Sequence, residues 1–288
     1  MKLRQKNKGI IFILLAGFFF ATMGVGSRMA GDLPVMQKAF FRNFFAAVFA
    51  FCMLLKQQHD FRYPVDTLPF LAIRSICGTL GIICNFYALD HLVLSDANIL
   101  NKFSPFAAIV FSFLFLKEKI NLPQLLTLLG AFIGVCLVIQ PSFSFQEVYP
   151  GLIGFFGGIM AGAAYTAVRY LGKMGLESIK IVFFFSLFSC LVILPFVLLN
   201  YAWMSPFQFL MLILCGISAA GGQVCITKAY TYAPAKEISI YDYFQILVAA
   251  IYGFVLWGQK PNFISIVGYL IIFIMSFVNW KRANSPTN

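Results

Sequence analysis

Long apolar runs separated by short polar breaks fill this chain, and the runs have the length of membrane helices. A helix rises 1.5 Å per residue, so about 20 apolar residues cross about 30 Å of hydrocarbon. Ten runs meet that requirement: 9–30, 34–55, 68–89, 92–116, 122–139, 149–171, 178–200, 206–229, 238–257 and 262–280. The breaks carry turn residues, as in Gly31-Asp32-Leu33-Pro34 and Gln140-Pro141-Ser142. The first run follows a basic segment (Lys2, Arg4, Lys6, Lys8) but is itself span-length, and a second span follows almost at once. That predicts a retained first helix rather than a cleaved signal. The pattern predicts an all-α integral membrane protein with ten transmembrane helices.

Composition agrees. Of 288 residues, 61% are apolar and 11% charged, with mean hydropathy +0.87. A soluble domain would be about half apolar and about a quarter charged, and a disordered chain more polar still. The net charge of +11 forms no basic stripe or arm, so nucleic acid is not an expected partner. Its distribution instead sets orientation. With the N-terminus inside, fourteen Lys and Arg fall in inner segments and three (Arg28, Lys38, Lys260) in outer ones. The positive-inside rule then predicts a multi-pass cell-membrane protein with both termini cytoplasmic. The seven Cys form no Cys-x-x-Cys pair and read as reduced packing residues, not a disulfide frame or metal site.

The halves resemble each other. A shift of 141 places lays Ala88 on Ala229, Phe103 on Phe244, Ala108 on Ala249, Phe113 on Phe254 and Lys119 on Lys260. Asp96 falls on Glu237, Asn101 on Asp242, Glu118 on Gln259 and Arg28 on Arg169. Five spans per half is odd, so the second half starts on the opposite side of the membrane: an inverted-topology repeat. The expected organisation is a cytoplasmic basic segment (1–8), a first repeat (9–140), a second repeat (149–280) and a cytoplasmic tail (281–288).

Short motifs then point to a family. They are Phe40-Phe41-Arg42, Arg74 with Phe86-Tyr87-Ala88-Leu89, Ala97 through Ser104-Pro105, Phe115-Leu116-Lys117-Glu118-Lys119, and Gly134. The second half keeps Trp257-Gly258-Gln259-Lys260 and Gly268. In order and spacing the chain resembles the drug/metabolite transporter superfamily, in particular its EamA group, over nearly its whole length. Two positions depart from the family pattern: Gln259 stands where Glu is usual, and Thr127 where Gly is usual. The resemblance implies a carrier of small molecules, more often an exporter, with substrates ranging over amino acids, nucleotide-linked metabolites, sugars and drugs.

Polar residues at membrane depth are the candidate site, because a charge at the bilayer centre costs at least about 2.5–3.5 kcal/mol unless it faces a cavity or partner. Lys102, Asn101 and Asp242 are expected to line a central cavity, with Lys102 meeting a substrate anion and Asp242 holding an amine or carrying a proton. The competing reading is a structural ion pair of Lys102 or Arg42 with Asp242. Arg42 and Arg74 read as gating or structural charges, with snorkelling toward the interfaces as the alternative. Asn85, Tyr87, Gln223, Tyr241, Tyr243 and Gln245 are the uncharged candidates for substrate contact, against simple helix–helix hydrogen bonding. Arg28 and Arg169, near span ends, read as interface anchors, and Glu118 as a capping or pairing group. Gly154, Gly158 and Gly162 are expected to seat a close helix contact, and Pro105 to kink the fourth helix below Lys102.

Other classes lack their machinery. The two His, His59 and His91, fall in connectors, and no zinc-protease, Walker or nucleophile-elbow motif occurs. No catalytic set, metal site or cofactor is expected. A non-transporting scaffold would not need an inverted repeat with buried charges of both signs. The expected function is secondary transport of small metabolites by alternating access, with carboxylate-bearing, amino-acid-like compounds favoured. Cationic amines or lipophilic drugs are the alternative. The expected partners are the small-molecule substrate, the lipid bilayer, and a coupled proton or exchanged solute, in a monomer or homodimer.

Overall fold

The computed structural model describes residues 2–58, 60–92, 94–120, 122–140 and 148–283. His59, Pro141-Ser142 and the tail beyond Ala283 lie outside the described residues, as do the side chains of Lys2, Arg4, Phe86, Leu89, Asp96 and Ala97. Among the described residues all regular structure is helical: α1 (Lys2–Met29), α2 (Val35–Lys56), α3 (Leu68–His91), α4 (Leu94–Asn101), α5 (Ser104–Leu116), α6 (Leu122–Ile139), α7 (Val148–Lys173), α8 (Ser178–Leu199), α9 (Pro206–Tyr232), α10 (Ala235–Ile238), α11 (Phe244–Trp257) and α12 (Phe263–Ala283). A 3-10 turn, Ser239–Tyr243, joins α10 to α11. Ten segments are long and apolar enough to span a membrane, α4–α5 and α10–α11 each counting once. Large apolar side chains such as Phe115, Leu199 and Phe273 point outward, as lipid-facing residues do.

Helix pairing follows the repeat. α1 packs along α9, and α7 along α3. α5 packs on α7, and α11 on α1. The shift of 141 exchanges the members of each set, while α2–α8 and α6–α12 map onto themselves. This is the contact pattern of two five-helix repeats in inverted orientation. Glycines permit the close approaches: a Cβ on Gly134 would sit 2.8 Å from the Gly268 carbonyl oxygen, and one on Gly268 2.6 Å from that of Gly134. The N-terminal part of α1 and the C-terminal part of α12 meet at α10, through Gly9 beside Ala233 and Ile238 and Asn279 bonded to the Glu237 carbonyl. Both termini therefore lie at one end of the bundle, called here the termini end.

Two membrane-spanning segments are broken at equivalent places. In the fourth, Pro105 has no N–H to give the Asn101 carbonyl and its ring crowds that oxygen. The helix stops at Asn101 and restarts at Ser104, and Lys102 and Phe103 bond back in tight turns to Ile99 and Leu100. In the ninth, no proline occupies the matching position. The 3-10 turn there is buried throughout and is held by tertiary contact, including Tyr243 Oη donating to the Lys102 carbonyl at 3.2 Å. The sequence pattern reads this span as one helix over 238–257, but it begins at Ala235 and is interrupted over Ser239–Tyr243.

Candidate functional site

The breaks place polar side chains and freed backbone groups at mid-membrane, around a cavity of about 220 Å³. Eight of the eleven residues singled out by depth line it: Arg42, Arg74, Asn85, Asn101, Lys102, Gln223, Asp242 and Gln245. Eight of the spans contribute to its wall, including α2 through Arg42 and α8 through Phe185. The mouth lies at the end opposite the termini, where Asn98 is exposed. Toward the termini end the space is closed by buried Ser239, Ile240, Tyr243 and Tyr230.

Lys102 and Asp242 meet across the repeat interface. Lys102 Nζ is 3.4 Å from Asp242 Oδ2 and donates to Gln245 Oε1 at 2.8 Å. The side chains are 15% and 9% exposed, so each charge is largely compensated by the other. Among the described residues no carboxylate pairs with Arg42 or Arg74. Arg42 is buried, and its Nε donates to the Met23 thioether at 3.1 Å, a weak acceptor. Arg74 is also buried; Nη2 donates to Gln223 Oε1 at 3.0 Å, the guanidinium carbon lies 3.9 Å from the Phe185 ring centroid, and Nε finds no partner. Neither arginine snorkels to an interface.

Tyr87, Tyr241 and Tyr243 are not on the cavity wall. Tyr87 stacks on His91, ring centroids 4.1 Å apart. Tyr241 turns the other way from Asp242, and Asn279 Nδ2 lies 3.5 Å from its hydroxyl. Thr127, in the position where glycine is usual, donates to the Gln124 carbonyl and reaches Asn279 Oδ1 at 3.4 Å, so the departure from pattern anchors this neighbouring network. Asn98 and Tyr165 also line the cavity, although depth alone does not single them out. Asn98 lies three residues before Asn101, on the same helix face, which is the signal that could have found it.

The closed end is held by contacts between α7 or the α5 terminus and α9 or α10. Arg169 Nη1 donates to the Tyr230 and Thr231 carbonyls, at 3.1 and 2.8 Å, capping the last turn of α9. Its Nε pairs with Glu118 Oε1 at 3.1 Å, and Lys173 joins at 2.8 Å. Arg169 is therefore an enclosed cross-link, not the interface anchor its position suggests, and Glu118 pairs as expected. Lys236 donates to the Lys119 carbonyl at 2.9 Å, and Tyr165 stacks on Tyr230 at 5.0 Å. Gly158, Gly154 and Gly162 seat α7 against α3, α4 and α5; a Cβ on Gly158 would lie 2.5 Å from the Leu100 carbonyl oxygen. Among the described residues no cluster of His, Cys, Asp and Glu could hold a metal, and all seven Cys are free thiols.

Comparison with known proteins is consistent along the whole chain. Residues 7–140 and 150–280 each match the EamA-like transporter family, and the chain belongs to that family. It is 29% identical over 277 residues to a protein of Pseudomonas aeruginosa named pseudopaline exporter CntI, covering 95% of this chain and 96% of that one. It is 24% identical over 279 residues to human solute carrier family 35 member G1, covering 92% of this chain and 76% of that protein. A solved crystal structure, 13% identical in sequence, superposes with a TM-score of 0.85 over 97% of this chain and 99% of its own, a likeness of fold alone.

Proposed function

We propose that this EamA-family member is a secondary carrier of small carboxylate-bearing metabolites, amino-acid-like compounds among them, and that it works by alternating access. The observation that carries the reading is a polar mid-membrane cavity, open at one end only, whose charged lining is Arg42, Arg74 and Lys102 against Asp242. Buried cations of this kind hold anions, since desolvated charge is costly without a counter-charge. The closure at the termini end consists of hydrogen bonds, an aromatic stack and helix-end caps, all of them contacts between helices or their ends rather than within one. Inverted repeats make the opposite state nearly equivalent.

Two features disfavour amines and lipophilic drugs. Drug-sized ligands fill pockets of about 300–1,000 Å³, and this one is smaller. Of the aromatic rings on the wall, that of Phe185 is already covered by Arg74 and is not free to form part of a cage for an amine. By the Lys and Arg distribution the termini end is cytoplasmic, so the open end faces out of the cell and the protein resides in the plasma membrane. Export agrees with the function printed for the Pseudomonas relative. The Lys102–Asp242 pair, joining the repeats at mid-membrane, is the natural place for a coupled proton.

The test is thermal unfolding of the purified protein in detergent against carboxylates, amino acids, quaternary amines and lipophilic drugs. A ligand at about 100 times its Kd stabilises the folded state by about 2.7 kcal/mol. Selective stabilisation by carboxylates, followed by saturable counterflow of the same compounds in proteoliposomes, is expected. Stabilisation by amines alone would overturn the substrate class.

A further inference from the structure

Arg42 and Arg74 stand on different helices, α2 and α3, and face one cavity. Each guanidinium carries five N–H donors in a planar fork suited to a carboxylate. Arg42 spends one donor on a thioether, and Arg74 spends one on a neutral amide while its buried Nε has no partner. Lys102 and Asp242 already neutralise each other. Among the described residues the cavity is thus left with two positive charges that no carboxylate pairs, both on the geometry that grips carboxylates in pairs of parallel hydrogen bonds. We propose that the substrate is a dianion, a small dicarboxylate held with one carboxylate on Arg42 and the other on Arg74. On this assignment the anion receptor is the arginine pair, and Lys102 belongs to the link between repeats. The inference rests on the carboxylate reading above and narrows it.

The probes are linear dicarboxylates of three to six carbons and monocarboxylates of matched length, with tetramethylammonium as a cation control. Binding is read by thermal shift and by competition in counterflow, in the unsubstituted protein and in Arg42→Gln, Arg74→Gln and Arg74→Lys. A dicarboxylate is expected to bind at least 10-fold more tightly than its monocarboxylate, and each Arg→Gln change should remove that preference. Arg74→Lys keeps the charge without the fork, guards against loss of folding, and should retain part of the preference. Equal binding of mono- and dicarboxylates overturns the dianion site while leaving a carboxylate carrier. Binding of tetramethylammonium with no carboxylate bound overturns both. A dicarboxylate preference that survives both Arg→Gln variants overturns the assignment of the arginines.

Arg28 and Arg169 occupy equivalent positions 141 residues apart but differ in surroundings. Arg169, at the closed end, is enclosed and caps the α9 carbonyls of residues 230 and 231. Arg28, at the open end, is exposed and lies 4.4 Å from the Trp257 ring centroid. The Gln259 amide, oriented with its oxygen toward Arg28, accepts from both Nη atoms at 3.1 Å. Arg28–Gln259 is thus the counterpart of Arg169–Glu118, with the carbonyl contacts missing. The same shift maps residues 230 and 231 onto 89 and 90, in the last turn of α3, whose carbonyls have no partner within the helix. We infer that Arg28 is the latch of the opposite state: it swings onto the carbonyls of residues 89 and 90 when the far end closes.

This second inference rests on alternating access, and its readout is the reaction rate of Asn98→Cys, at the open mouth, with a bulky polar thiol reagent in detergent, above the background of the unsubstituted protein. Arg28→Gln removes the far-end latch and should raise the rate about 3-fold or more, while Arg169→Gln, by freeing the termini end, should lower it. Arg28→Lys, able to make one of the two carbonyl bonds, should lie between. Changes in the same direction, or none, overturn the latch. A transported dicarboxylate that leaves the Asn98→Cys rate unchanged in the otherwise unsubstituted protein overturns alternating access itself.

Discussion

Replacing Asp242 by Asn separates a link between repeats from a chance proximity. The change leaves Lys102 Nζ with the Gln245 amide, 2.8 Å away. At 3.4 Å and an effective dielectric of about 20, two unit charges attract by about 5 kcal/mol. Desolvation of both groups in the folded protein offsets most of that, so the intact pair contributes little net stability. Removing one partner is different, because the other keeps its desolvation cost; for fully buried pairs the loss is about 3–5 kcal/mol. The cavity is open to water and Gln245 remains, so about 1–3 kcal/mol is expected for Asp242→Asn, and a similar loss for Lys102→Met. The double variant removes both charges and should be more stable than the sum of the single losses predicts by about 1–2 kcal/mol. Cys190, Cys215 and Cys225 are buried free thiols, so a thiol-reactive dye reports unfolding in detergent. For a chain of this size 1 kcal/mol moves Tm by roughly 2–4 °C. Strict additivity of the two single variants would refute the coupling.

Asp242→Asn should also abolish any dependence of uptake on a pH gradient in proteoliposomes while sparing exchange; a retained dependence removes Asp242 from the coupling. Gly158→Ala sets a Cβ 2.5 Å from the Leu100 carbonyl oxygen, a backbone atom at the break, and is expected to destabilise by about 1–2 kcal/mol despite the better helix propensity of Ala; an unchanged Tm would show that α4 yields freely. Lys117 ends α5 at φ 53°, where its repeat counterpart Gly258 ends α11 at φ 64°. A left-handed non-glycine residue costs about 1 kcal/mol, so Lys117→Gly should raise Tm by roughly 2–4 °C, and a fall in Tm would contradict the strain.

Most of the polar lining of the cavity was legible from polar residues at membrane depth. Arg42, Arg74, Asn85, Asn101, Lys102, Gln223, Asp242 and Gln245 meet there because lipid offers them no other place. Depth fails where direction matters. Successive residues point about 100° apart in an α-helix and about 120° apart in a 3-10 turn, so Tyr241 beside Asp242 faces Asn279, and Tyr87, two residues after Asn85, faces His91. Partners were likewise hidden. Arg169 could be placed near a span end, but its bonds to Glu118 and the α9 carbonyls depend on residues 51 to 62 positions away.

Hydrophobic run length, the odd number of spans per half and the shift of 141 determine ten helices and their inverted arrangement, because a bilayer forces every backbone bond to close within its own helix. The break in the fourth span is also written locally, in a proline that cannot donate. The matching break in the ninth, without a proline, exists because packing holds Tyr243 on the Lys102 carbonyl and buries the turn. Which cations are neutralised was equally a tertiary decision: only the assembled bundle pairs Lys102 with Asp242 and leaves Arg42 and Arg74 facing the cavity, since charge compensation depends on distances of a few ångströms between helices far apart in the chain.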